Sequence, residues 1–192
     1  MLFLRAYLFL GLLAHKVLWE VLKRGREAGL AEETPKPSLK LRLVKAVKVA
    51  ILMGILLQTV LPWDILPLPA AGRPQLKIAG VIIYSLGLII AILGRIHLGD
   101  SWSDIETPRA GEEAPMVTQG VYSYIRHPIY AGDLLLLLGL ELALHSWLVL
   151  GAVALIPVVF TRAVKEEKLL ASRLHGYDLY IQKTKRFIPF VV

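Results

Sequence analysis

The chain has 192 residues, 56% of them hydrophobic and only 19% charged, with a mean hydropathy of +0.60. Soluble domains average about 45–50% apolar and about 25% charged residues, so this composition points to an all-α integral membrane protein built as one bundle. The absence of cysteine excludes a disulfide framework, a thiol nucleophile and a thiolate metal site. The net charge of +7 suits the positive-inside rule and anionic headgroups, and no aromatic-basic platform accompanies it to suggest nucleic acid.

Residues 1–22 are apolar but interrupted by Arg5, His15, Lys16 and Glu20. A signal peptide, with Arg5 in its n-region, is the competing reading; no small-residue cleavage site follows, which favours a retained first span. A basic linker is expected from Lys23 to Lys48, on the cytoplasmic side. The second span runs from Val44 to Leu61, where Pro62, Pro67 and Pro69 end it and Trp63-Asp64 suits the far interface. The third runs from Gln75 to Leu98. Its Gly80, Gly87 and Gly94 recur every seven residues, a stripe that lets a neighbouring helix come close. A polar, acidic stretch follows to Thr118 and reads as a water-facing loop. His97 lacks the paired His or carboxylate spacing of a metal site and reads as interfacial.

The run from Ala131 to Phe160 exceeds the ~20 residues of one span. A tight helical hairpin turning at His145-Ser146 is expected, with one long tilted helix as the alternative. Pro157 should kink or open the second arm, and Gly176 reads as the cap of the helix that continues beyond it. Lys and Arg crowd the tail from Arg162 onward and are missing from the hairpin turn. Five spans, with the C-terminus in the cytoplasm, satisfy that asymmetry.

Two polar stretches flank this hairpin. The first is Gly120-Val-Tyr122-Ser-Tyr124-Ile-Arg126-His127-Pro128-Ile129-Tyr130-Ala-Gly132, and the second is Arg162-Ala-Val-Lys-Glu166-Glu167. In the five-span topology both lie at cytoplasmic span ends and can form the two halves of one cofactor site. Arg162 and Glu166, four apart, share a helix face. Alone they read as a surface salt bridge worth ~0.3–0.5 kcal/mol. Opposite Arg126-His127-Pro128 they offer a carboxylate for a cationic group and a guanidinium for a carboxylate. His127, preceding proline, is expected to be extended, with nearby backbone groups free for a ligand. Tyr122, Tyr124 and Tyr130 suit either an interfacial belt or an enclosure for a purine or a sulfonium. No Gly-x-Ser-x-Gly elbow, P-loop or dinucleotide fingerprint occurs.

The pattern Gly120-x-Tyr122-x-x-x-Arg126-His127-Pro128-x-Tyr130-x-Gly132, followed by Arg162-x-x-x-Glu166-Glu167, resembles the isoprenylcysteine carboxyl methyltransferase family. Leu98-Gly99-x-x-Trp102-Ser103 upstream and Gly176 with Tyr180 downstream extend the resemblance over roughly residues 95–192, and the related phospholipid methyltransferases share this half. What the resemblance implies is a multi-pass methyltransferase that uses S-adenosyl-L-methionine, releases S-adenosyl-L-homocysteine and takes a lipophilic acceptor from the bilayer. It implies cofactor contacts from Ala114, Pro115, Met116 and Val117, then from Tyr122, His127, Pro128, Ile129 and Tyr130. Glu166 would bind the cofactor's amino group and Arg162 would orient the acceptor's carboxylate. The chain departs from the family pattern at Ala114-Pro115-Met116, where His or Lys and Leu are usual.

Carboxyl O-methylation of a prenylcysteine-like acceptor is the leading expectation. A carboxylate acceptor needs no base, so Arg162 would position it, and proximity alone can supply ~7–11 kcal/mol. Methylation of a phospholipid amine or a small thiol is the alternative within the enzyme class. A non-enzymatic small transporter or assembly factor is the alternative outside it, although transporters place their binding residues near mid-membrane. The cofactor is expected to enter from the cytoplasm, with no obligate protein partner.

Overall fold

The computed structural model describes residues 2–28, 39–61, 67–69, 73–99 and 116–191. Every regular element among them is helical: α1 (Leu2–Ala28), α2 (Leu39–Val60), α3 (Arg73–Leu98), a 3-10 turn (Gly120–Ser123), α4 (Pro128–Ala143), α5 (Val149–Arg173) and α6 (Tyr177–Lys183). Three of these helices, over Leu2–Leu22, Arg42–Val60 and Arg73–Leu98, are long and apolar enough to cross a bilayer. This is a membrane protein. The chain divides into two compact units, residues 1–67 and 68–192.

In the first unit the basic stretch expected to be a linker is partly helical. Arg24 and Arg26 ride on the end of α1, and Lys40, Arg42, Lys45 and Lys48 on the first turns of α2. Apolar side chains such as Phe3, Leu10, Val47 and Ile51 stand exposed, as lipid-facing residues do. Leu8, Leu12, Gln58, Thr59 and Arg5 are buried instead, and Arg5 among them is charged. Its Nη1 donates to the carbonyls of Gln58 (2.7 Å) and Leu61 (2.6 Å), so a buried guanidinium covers acceptors that the end of α2 leaves without helical donors.

The second unit is built on α3 against α4. Gly80, Gly87 and Gly94 meet α4 at Ala143, Leu136 and Ile129, each seven-residue step forward on α3 matched by seven back on α4. The helices are therefore antiparallel and hold one register along the contact. Gly132 and Gly139 answer from α4, where a Cβ would strike the backbone of Ala91 and of Tyr84. Lipid offers apolar helices no hydrophobic reason to associate, so close backbone approach has to supply the attraction through dispersion. The α3 stripe is filled by α4.

The hairpin turns where the sequence places it. α4 ends at Ala143, His145 takes a left-handed backbone (φ 59°), and the Ser146 hydroxyl accepts from Leu148 N–H at 3.1 Å, leading into α5. One long helix is thereby excluded. α5 continues through Pro157 to Arg173. Gly176 is left-handed (φ 80°) but follows the cap, Leu174, and links α5 to α6.

Candidate active site

His127 caps the N-terminus of α4 and Pro128 occupies its first turn, where a missing N–H costs nothing. The His127 ψ of 56° departs from the extended value expected before proline. The reason lies in its hydrogen bonds. His127 N–H donates to the Arg186 carbonyl at 3.0 Å, and its own carbonyl accepts from Ala131 at 3.0 Å. The backbone at this point is thus occupied by protein rather than free for a ligand.

The strand-like partner is a segment the sequence did not single out. Ile125 pairs with Lys185 in a parallel bridge, Arg126 N–H donates to the Lys185 carbonyl (2.8 Å), and Lys185 N–H donates to the Tyr124 carbonyl (3.1 Å). Residues 184–187 therefore lie as a strap along residues 124–127. Phe187 follows, its ring 5.8 Å from that of His127 and 6.1 Å from that of Phe160.

Under the strap sits Glu167, its side chain only 7% exposed. Its carboxylate accepts from Arg126 Nε (2.8 Å), His127 Nε2 (3.2 Å) and Arg186 Nη2 (2.6 Å). Burial works against this charge, but the hydrogen bonds from His127, Arg186 and Arg126 outweigh it and hold the carboxyl well below its usual range. An ionised carboxylate only accepts, so His127 Nε2 carries a hydrogen. The bonds from Glu167 in turn raise the Arg186 guanidinium further. Arg126 Nη1 also reaches the Ile181 carbonyl (3.2 Å) and the Thr184 carbonyl, tying the end of α6 into the cluster. Two acidic neighbours in sequence thus have different employment. Glu167 is consumed in holding the structure together.

Glu166 faces elsewhere. It is 22% exposed and accepts from the Tyr130 hydroxyl at 2.9 Å, with His127 Nδ1 3.9 Å away. The Tyr130 and His127 rings stack at 5.4 Å and 7°, and the Arg162 guanidinium lies 6.0 Å from the Tyr130 ring centre. Tyr122 is buried nearby, and its carbonyl accepts from the Tyr180 hydroxyl at 2.7 Å. Burial raises the Tyr122 hydroxyl above its ordinary range and pushes that of Tyr180 up to about 12, so both stay protonated donors. His97, at the end of α3, accepts from Val121 N–H at 3.4 Å and packs on Gly120, which has φ 61°.

The structure therefore brings together His127, Tyr130, Arg162 and Glu166, with Pro128 and Ile129 buried on the α3 side. Met116 and Val117 lie just ahead of the 3-10 turn, while Ala114 and Pro115 fall outside the described residues. Chemically the arrangement offers one partly exposed carboxylate beside stacked aromatic faces, with a guanidinium on the same helix face. That donor set suits an ammonium, a sulfonium and, beside them, an anion. The residues missed from the sequence are Arg186, Phe187 and Thr184. Their only sequence signal is the tail's basic and aromatic content.

The sequence model of a family described as phospholipid methyltransferase matches residues 76–176. Protein-S-isoprenylcysteine O-methyltransferase of Schizosaccharomyces pombe is 28% identical over 109 residues, covering 55% of this chain and 46% of that protein. Protein-S-isoprenylcysteine O-methyltransferase B of Arabidopsis thaliana is 30% identical over 117 residues, 58% of each. Cobalt-zinc-cadmium resistance protein CzcN of Cupriavidus metallidurans is 32% identical over 106 residues, 54% of this chain and 46% of that protein. The chain spans about half the length of the curated relatives it matches.

Proposed function

The chain belongs to the phospholipid methyltransferase family, and from that premise we propose that it is an integral membrane methyltransferase using S-adenosyl-L-methionine. Its acceptor is a lipophilic carboxylate of the prenylcysteine kind, the substrate class after which two of the relatives above are named. The observation that carries this reading is the meeting of Glu166, Tyr130 and His127, from two helices, with Arg162 one turn before Glu166. The donor set fits the cofactor: Glu166 answers the amino group, and the faces of Tyr130 and His127 suit a neighbouring sulfonium. When bound, the cofactor supplies a methyl group whose bond to sulfur breaks as a bond to the acceptor oxygen forms.

The residues of the chain do the positioning. Tyr130 holds Glu166 by its hydroxyl, Glu167 holds His127, and the stack of the two rings fixes the wall between them. Arg162, exposed near Tyr130, holds the acceptor carboxylate in line, and its charge disfavours a cationic amine acceptor. Met116, Val117 and Tyr122 complete the cofactor's enclosure, with Ala114 and Pro115 ahead of them. In this reading the hairpin of α4 and α5 adds two crossings to three, the site opens to the cytoplasm, and the acceptor enters sideways from the bilayer.

Calorimetric titration of S-adenosyl-L-methionine into detergent-purified protein tests this. Saturable binding is expected, weakened about 10- to 100-fold in Glu166→Gln, the range for one charge-assisted hydrogen bond. Arg162→Ala should bind the cofactor normally yet fail to methylate a prenylcysteine. If the folded parent shows no binding, the non-enzymatic reading takes over. If it binds and both variants behave like the parent, the assignment of Glu166 and Arg162 is wrong.

A further inference from the structure

The tail that straps the site has an outer side that the site does not use. Lys183 and Lys185 are exposed, and so are Ile188 (55%), Phe190 (85%) and Val191 (65%) just beyond them. On α6, Leu179 is exposed as well, and Asp178 is the acidic side chain facing out among these. Phe190 has φ 66°, a left-handed backbone that a side chain of this size rarely adopts.

The depth of this surface follows from the contacts beneath it. α3 ends its bilayer-crossing stretch at Leu98. His97, one residue earlier, accepts from Val121, and Ile125, four residues on, bridges to Lys185. The strap therefore lies at the end of a span, at the level of the lipid headgroups. Cationic side chains there meet phosphate, and aromatic or aliphatic ones beside them reach the acyl boundary.

We propose that residues 183–191 form a contact surface for an anionic bilayer, with Lys183 and Lys185 on the headgroups and Ile188, Phe190 and Val191 in the acyl boundary. Two lysines near an anionic surface favour the seated tail by roughly thirty-fold, and salt weakens that preference. This inference rests on the membrane location alone and stands apart from methyl transfer.

Because the chain has no cysteine, Phe190→Cys can carry a single environment-sensitive fluorophore in the whole 192-residue chain. The protein is reconstituted in phosphatidylcholine, or in phosphatidylcholine with phosphatidylglycerol, with bromine on the acyl chains as quencher. In the anionic bilayer the emission should shift to the blue and be quenched. Lys183→Gln with Lys185→Gln should lower the seated-to-free ratio roughly thirty-fold, while Lys183→Arg with Lys185→Arg should preserve it. High salt should act like the glutamine pair, and unchanged melting in neutral detergent confirms that the variants fold. Equal quenching in neutral and anionic bilayers would make the tail an apolar anchor only and overturn the proposal. Absence of quenching in both would remove the tail from the membrane and overturn it entirely.

Discussion

The helix pair α1–α2 and the pair α3–α4 answer the same difficulty, how apolar helices stay together when lipid solvates them as well as a neighbour does, by different means. In α3–α4 the backbones themselves approach, at Gly80, Gly87, Gly132 and Gly139, and the register follows from a seven-residue repeat on both sides. In α1–α2 the only glycine of the second helix, Gly54, has nothing within 4 Å of where a Cβ would stand. There a buried polar tie from Arg5 to the end of α2 is conspicuous instead. The family match begins at residue 76, on the glycine-packed side. Close packing fixes geometry to a fraction of an ångström, which suits a candidate site built from α4 and its neighbours.

This contrast can be broken most severely at Gly139. Gly139→Val drives a side chain into the backbone of Tyr84 and Gly80, and a loss of about 4 kcal/mol or more is expected, enough to remove the folded state from a thermal melt in detergent. Next comes Glu167→Gln, which leaves Arg126, His127 and Arg186 without their shared anion and should cost about 3–5 kcal/mol. The same carboxyl supplies a pH test. Its folded value is depressed, so its contribution is intact above the ordinary 4.5 and is lost as pH falls from there. The melting temperature of the parent should therefore drop on acidification more steeply than that of Glu167→Gln.

Smaller effects sharpen the comparison. Tyr130→Phe removes one hydrogen bond to Glu166 and should cost about 1 kcal/mol of stability, read by denaturant titration. The smallest change has the opposite sign. Gly54→Ala adds a methyl group in open space on a helix and should stabilise the first unit by about 0.5–1 kcal/mol. A destabilising Gly54→Ala would show that α2 is packed against something, and the contrast between the pairs would fail.

Local pattern carried much of this into view. The glycine repeat of α3 announced a close neighbour, and the polar pair His145-Ser146 inside a long apolar run announced a turn. The meeting of Arg126-His127 with the acidic end of α5 was also legible, since charged groups beside hydrocarbon have to find each other. The residues alone did not separate the two acids; only the family resemblance assigned Glu166 to the cofactor, and it gave Glu167 no role. Glu166 and Glu167 are identical in kind and adjacent, and only the helix phase set by the α4 contact turns one inward. The strap was invisible for a different reason. Its bridge joins Ile125 to Lys185, and Lys-Arg-Phe in a basic tail looks like any interfacial stretch until its partner is known. The expectation of free backbone at His127 failed with it, because the groups taken to be available are the ones the strap uses.

The strap also sets an order of events in the life of the molecule. A ribosome delivers Arg126 and His127 first, Glu167 next, and the residues that close over them only after both arms of the hairpin have been made. Until residue 187 has emerged, Glu167 lacks Arg186, and Arg126 and His127 lack the carbonyls that receive their N–H groups. A half-made chain can enter the bilayer, but it carries no finished site. The cluster around Glu167 closes only with the tail.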